Sequence, residues 1–335
     1  MEELNFSSRR NISVVAQIAN FVRYEIQTGK RNRSEKLLSI NQFSRRYNVA
    51  RDSVEKAYNL LKSEDLIVSY TSRGYYVSSD LGERLRILLL FNKISQYKKI
   101  IYDAFVETLG DKATVDLSIH HYSVAVLEDI IDRNQGKYHH YVLMPHFAHE
   151  YKEEEFMRVI HKIPSYQLML LDKQLPQLSN MRGVYQNFSE DIYLALHQSV
   201  DLIAKYQRAV VVFPEFNNHP VEILDGIQRF CQDHALNFTH VSRIEESIIA
   251  KSVFYIVLTE SDLAQLIKMV RFKDYLLGEE IGVLSFNETI FKELLNITVM
   301  STDFALMGHT AASMILNTQE QSINNPFKLI RRGSL

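Results

Sequence analysis

Hydrophobic positions in the first eighty residues fall at helical spacing, then at strand spacing, within a short span. Residues 13–30, SVVAQIANFVRYEIQTGK, carry an apolar stripe of the kind an amphipathic helix buries. Ser39 is placed to cap a helix over 40–47, with Phe43 and Tyr47 four apart and able to face one core. Asn48 tolerates the left-handed conformation at a helix end, and Val49 plugs the turn that follows. A further helix runs from about Arg51 to Glu64, with Val54, Ala57, Tyr58 and Leu61 on one face. Arg51, Asp52, Ser53, Glu55 and Lys56 then point outward, where a recognition helix presents side chains to a major groove. Leu66 to Tyr70 reads as a strand, Arg73-Gly74 as a tight turn and Tyr75 to Val77 as the return strand. The expectation is a winged helix-turn-helix over 1–78, a linker at 79–85, and DNA as a partner.

From Arg86 the pattern changes. RILLLF is a continuous apolar run, as a strand buried on both faces of a parallel sheet requires. Helix-like stretches near 97–109, 123–133 and 150–161 alternate with strand-like ones at 114–119, 138–144 and 166–171. After Pro176 the alternation resumes with a helix near 189–206, a strand at 209–213 and a helix near 220–234. Strands at 237–241, 253–258 and 281–286 follow, with a helix near 262–269. Residues 86–335 therefore read as a two-lobed α/β effector domain with parallel sheets. One lobe takes about 86–180 and 303–318, the other about 181–300 and 319–335.

Charge separates the two regions. Residues 5–79 hold thirteen Lys plus Arg against six Asp plus Glu, a balance of +7, whereas the whole chain is −2. A basic module joined to an acidic remainder is the pattern of a nucleic-acid-binding head. The single cysteine, Cys231, excludes an intramolecular disulfide and fits a reducing cytoplasm. The opening MEELNFSSRR lacks the basic-then-apolar order of a signal peptide, and no apolar stretch is long enough to span a bilayer. A cytoplasmic protein without membrane contact is expected.

The first of these regions resembles the GntR family of winged-helix repressors over roughly residues 12–79. The resemblance is carried by Gly29-Lys30, KLLS at 36–39, VARDSVEKAYNLL and RGYYV. It implies contacts to DNA from Arg51, Ser53, Arg73 and Gly74; position in the pattern adds Ser39, Arg45, Asp52, Lys56 and Tyr75. Asn41 and Glu55 depart from the family pattern, which has basic residues there. Residues 85–335 resemble the periplasmic-binding-protein-type effector domain of LacI/GalR repressors. EEIGVLSFNET at 279–289, NITVMSTDFALMGHTAASMIL at 296–316 and the closing NPFKLIRRGSL carry that likeness. Asn287 stands where that family has a ligand-contacting Asp, and Val221-Glu222-Ile223 where an Arg usually precedes Gly226.

In open α/β sheets ligands bind beyond the carboxyl ends of the strands. From the first lobe this rule selects Asn92, Lys93, Ser95, His120, Tyr122, His146, Phe147, Asp172 and Lys173. From the second it selects Gln186, Asn217, Glu222, Glu260, Asp262, Asn287 and Asp303. Amides, carboxylates, imidazoles and aromatics together suit a sugar, whose hydroxyls want paired donors and acceptors and whose apolar face stacks on a ring. No glycine-rich phosphate cradle is present, though Lys93 and Lys173 could neutralise a monophosphate. A pentose or deoxyhexose such as arabinose or fucose, or its phosphate, is the expected effector. Adjacent histidines at a strand end point to opposite faces, so His120-His121 do not make a metal pair, and neither metal nor cofactor is expected.

Two functions compete on these grounds. One is a ligand-responsive transcription regulator, a repressor acting as a homodimer on an operator. The alternative is a DNA-tethered sugar-modifying or hydrolytic enzyme, for which the chain offers no GxSxG elbow, HExxH motif or dinucleotide fingerprint.

Overall fold

The computed structural model describes residue 6 and residues 13–64, 66–70, 73–78, 84–148, 151–214 and 219–335. The chain opens with helices α1 (Val14–Gln27), α2 (Ile40–Tyr47) and α3 (Arg51–Ser63), followed by strands β1 (Ile67–Tyr70) and β2 (Gly74–Val77). Ser13 accepts from the Ala16 amide to start α1. At α2, Ser39 and Gln42 exchange side-chain and backbone hydrogen bonds in a full capping box, and Asn48 ends the helix at φ 50°. β1 and β2 pair antiparallel with Ile67 opposite Val77. A third segment joins them: the Ser34 amide donates to Val77, Val77 donates to Glu35, and Leu37 donates to Tyr75. Ile18, Val22, Leu37, Phe43, Val54, Tyr58, Leu61, Ile67 and Val77 form one buried cluster beneath these elements.

Beyond this head come β3 (Leu85–Phe91), α4 (Gln96–Leu109), β4 (Ala113–Ile119), α5 (Val124–Asn134), β5 (His140–Leu143), α6 (Glu153–Ile160), β6 (Leu168–Lys173) and β7 (Gly183–Gln186). The second series is α7 (Phe188–His197), α8 (Val200–Ile203), β8 (Arg208–Val212), α9 (Glu222–Asp233), β9 (Asn237–Val241), β10 (Val253–Val257), α10 (Glu260–Phe272), β11 (Ile281–Phe286), α11 (Ile290–Leu294) and β12 (Thr298–Thr302). α12 (Phe304–Leu316), β13 (Ser322–Asn324) and β14 (Phe327–Ile330) close the chain.

Two six-stranded sheets result, in the orders β13-β7-β6-β5-β3-β4 and β14-β12-β11-β10-β8-β9. The first strand of each series lies between the second and the third, which is a doubly wound arrangement repeated. β3 runs parallel to β4 and β5, and β5 to β6. β8, β9, β10, β11 and β12 form the matching parallel set, with β14 antiparallel at the edge. By chain contacts the first unit comprises 1–171, 175–183 and 308–322; the second comprises 172–174, 184–307 and 323–335.

The parallel strands are where the sequence reads as unbroken apolar runs: Ile87 to Phe91, Ala209 to Val212, Val253 to Val257 and Ile281 to Phe286 are buried throughout. In the first unit α12 comes so close to α4 that a Cβ on Gly308 would lie 2.4 Å from the Ile101 carbonyl oxygen. In the second, α9 approaches α7 so that a Cβ on Gly226 would lie 2.3 Å from the Ser189 oxygen.

One predicted helix is divided. The stretch 189–206 reads as continuous but breaks between α7 and α8 at Ser199, which is fully buried and turns its hydroxyl back to the Leu196 carbonyl. A serine that bonds its own backbone offers the chain a way out of the helix. β7, β13 and β14 carry too short a pattern to be read in advance.

Candidate functional site

The head exposes one polar surface. Arg51, Asp52 and Lys56 are exposed along the first two turns of α3, and Lys56 holds Asp52 at 2.8 Å. Ser53 is half-buried beside them. Arg45 is exposed in the last turn of α2, and Arg73 is exposed at the hairpin, where Gly74 takes φ 99°. The turn between α2 and α3 is locked by Ser44 Oγ donating to the Val49 carbonyl at 2.7 Å, and the Tyr58 hydroxyl donates to Leu38 at 2.8 Å. Ser39 is engaged in its capping box, and the Tyr75 ring packs edge-on to Tyr58 with centroids 4.8 Å apart. These two predicted contact residues thus serve the head's own construction, while Arg45, Arg51 and Arg73 are exposed, and Asp52 and Lys56 are exposed as an ion pair.

In the first unit the carboxyl ends of β3, β4 and β5 gather a second set. Asn92 is buried with its Oδ1 unpartnered. His120 is completely buried: its Nε2 meets the Met144 carbonyl at 3.1 Å, its Nδ1 has no partner, and its ring lies 4.9 Å from that of Phe147. Burial pushes its pKa down to about 4, so the ring is neutral. Tyr122 and His146 are half-buried at the same end, Lys93 is exposed, and Ser95 caps α4 by accepting from the Lys98 amide. His121 and Tyr122 adopt φ of 51° and 61° immediately after β4. Non-glycine residues in that region mark places where the surroundings dictate the backbone.

The end of β6 and the strand ends of the second unit carry charge. Asp172 is buried at φ 75° and accepts from Gln186 Nε2 at 2.5 Å. Lys173 pairs with Glu222 at 2.9 Å. Asn287 follows β11 at φ 64°, and its amide donates to the Met300 carbonyl at 2.7 Å. Asp303 caps α12 through the Leu306 amide. Asp262 closes on its own helix cap, Thr259, and Glu260 is exposed beside it. Asn217 lies outside the described residues. Asn287 and Asp303 come from successive strand ends, whereas Asp262 is committed to its helix.

Three buried polar groups were not expected from sequence. Lys292 is 1% exposed and donates to the carbonyls of Phe286 at 2.6 Å and Asn287 at 2.9 Å, gripping the turn on which Asn287 stands. Burial pushes its pKa down to about 8. Asn325 donates to Thr302 and to the Asp303 carbonyl, and Lys98 is buried at the strand ends of the first unit with its Nζ 2.9 Å from Met144 Sδ. The one available signal was position: each follows or faces a strand end.

Among the described residues, no cluster of histidine, cysteine or acidic side chains could hold a metal ion, and no helix is long and apolar enough to cross a membrane.

The parallel-sheet units match solved structures. A periplasmic binding protein/LacI transcriptional regulator from Alkaliphilus metalliredigens, complexed with D-xylulofuranose, superposes with a TM-score of 0.57 at 12% identity, covering 74% of this chain and 98% of that one. The lac repressor dimer bound to operator and an anti-inducer gives 0.62 at 13% identity, over 76% and 94% of the two chains. A LacI family regulator from Enterococcus faecium with bound ribose gives 0.58 at 13%, over 74% and 98%. No protein-family model and no curated protein sequence matches the chain. The class is therefore defined by architecture: a two-lobed, periplasmic-binding-protein-like α/β fold with parallel sheets, preceded by a helical head with a β-hairpin.

Proposed function

We propose that the protein is a ligand-responsive, sequence-specific transcription regulator, a repressor, whose winged helix-turn-helix head at 1–78 contacts an operator. Residues 86–335 form its effector domain and hold a small sugar or sugar derivative at the strand ends. The observation that carries this reading is the combination, in one chain, of a basic head with Arg45, Arg51, Lys56 and Arg73 exposed and α/β units whose strand ends bury unpartnered hydrogen-bonding atoms at Asn92 and His120. Neutral imidazole, amides and the Phe147 ring favour an uncharged polyhydroxy ligand on the first unit's side. Sugars bound to similarly folded regulators agree with that chemistry.

Operator affinity changes only if the effector binds two states of the protein unequally, a coupling commonly worth about 1–3 kcal/mol. Homodimerisation is supported by an apolar surface on α11, where Ile290, Phe291 and Leu294 are 70–75% exposed.

Two experiments test the reading. Selection from a random duplex library with the full chain should enrich one sequence, and Arg51→Ala should weaken its binding while shrinking the salt-dependence slope by about one. A library that returns no enriched sequence removes the regulator assignment. Thermal-shift screening against monosaccharides, D-xylulose and D-ribose among them, should raise the melting temperature by mass action, and Asn287→Ala should abolish the shift while leaving duplex binding intact.

A further inference from the structure

The head and the α/β part of the first unit meet at a surface that neither the DNA-facing side chains nor the strand ends use. The Tyr24 ring of α1 lies 4.4 Å from the ring of Tyr166, and Lys30 Nζ stands 4.8 Å from the Tyr24 centroid. The preceding residue, Arg23, is completely buried and grips Glu64 with hydrogen bonds at 2.8 and 3.2 Å. Glu64 is the residue on which α3 ends. Asn20, Arg23 and Leu60 of the head face Ile163, Pro164 and Gln167 across a cavity of about 150 Å³. Gln167 is 2% exposed, and its Nε2 has no protein partner there.

We propose that this surface is a docking interface by which the α/β part of the chain holds the head, and with it α3, in one orientation. The inference rests on the regulator reading, for which it supplies the coupling element. Its geometry orients and does not block. The contact takes the carboxyl-terminal half of α3, directly through Leu60 and by way of Arg23 at Glu64, and leaves Arg51, Asp52 and Lys56 at the other end exposed. Arg23 connects the two: one guanidinium lines the junction and is bonded to the end of α3, so a shift at the junction is passed to the helix as a rigid displacement. A tilted ring pair beside a cavity of mixed apolar and polar lining is a contact that opens at low cost, as interfaces between domains of one chain generally do.

The chain contains no tryptophan, so Tyr166→Trp in the full-length protein places a lone indole in the junction. Its emission should be blue-shifted, and adding Tyr24→Ala should move it to that of a solvated indole, whereas adding Tyr24→Phe should not. Identical emission from all three proteins overturns the docking. The reciprocal pair, Tyr24→Trp with and without Tyr166→Ala, gives the same reading if the first variant folds poorly. Orientation is read separately, from a duplex library carrying two half-sites at randomised separation. The native chain should select one separation, and Tyr166→Ala should accept several with the half-site sequence unchanged. A separation preference that survives Tyr166→Ala overturns the orienting role. If neither protein selects any duplex, the regulator reading fails, while the fluorescence pairs still decide whether the head docks.

Discussion

The two α/β units wind their strands in the same order, yet they finish their strand ends with opposite chemistry. The first ends in a neutral histidine against Phe147, with unpartnered atoms at Asn92 and His120. The second ends in Asn287 at φ 64° after β11 and in Lys292, buried against two carbonyls. A fold thus fixes where polar groups converge, whereas the residue types decide what they can hold. Parallel strands force their carboxyl ends to one edge of a sheet in both units. Nothing in that geometry requires an imidazole in one and an ammonium in the other.

Acidity should separate the units most sharply. An unfolded imidazole takes a proton at 6.5, but buried His120 takes one only at about 4, so the stability present above 6.5 is lost as the pH falls toward 4. The loss from His120 amounts to about 3 kcal/mol, at about 1.4 kcal/mol per pH unit. His139 and His140, pushed down by burial to about 3, add to the same slope. Both rings are held neutral by geometry as well, since His139 Nδ1 accepts from the Arg86 amide and His140 Nδ1 meets the Arg182 guanidinium, each at 2.9 Å. Lys292 in the second unit has the same sign in a different window. Its stability contribution is full above 10.5, falls as the pH drops to about 8, and is flat below that. Urea denaturation between pH 4 and 10 should therefore show two sloping limbs around a plateau. His120→Gln should make the acid limb shallower, His139 and His140 keeping the rest of it, and Lys292→Met should flatten the alkaline one; an unaltered profile in either variant breaks the contrast.

Steric substitutions should, in comparison, treat the units alike. Gly308→Ala and Gly226→Ala each drive a methyl group onto a backbone oxygen that cannot yield, and each should cost about 1–3 kcal/mol in thermal or urea unfolding. A large inequality between them would show that one helix pair gives way more easily than the other. The smallest effects lie at the helix starts. Ser95→Ala removes the cap of α4 and Thr259→Ala that of α10, for about 1 kcal/mol each. Thr259 also bonds the Asp262 carboxylate, so its loss should be the greater of the two by the same measurement.

Much of the architecture was legible. Phe43 and Tyr47 at helical spacing, Asn48 after them and the turn at Gly74 specify α2, its αL end and the hairpin from local chemistry alone. Runs such as RILLLF and IGVLSF announce strands buried on both faces, and such strands require helices on either side. The strand-end rule then drew out His120, Asp172 and Asn287, each of which occupies or follows a strand terminus. It also drew out Ser95 and Asp262, whose side chains serve helix caps. A cap and a ligand contact want the same short polar residue at the same place, so residue type could not separate them.

The sequence by itself determined the order of elements, the helical head and its basic surface, and the doubled α/β plan, because these follow from periodicity and turn chemistry within a few residues. Tertiary structure alone decided the edge strands, the burial of Lys98 and Lys292, the Asn325 link to Thr302 and the meeting of Tyr24 with Tyr166. Each of these depends on groups brought together by the folded backbone, many of them distant in sequence. A lysine's pattern on a helix is the same whether its amine reaches water or two carbonyls, and only the packed chain distinguishes the two.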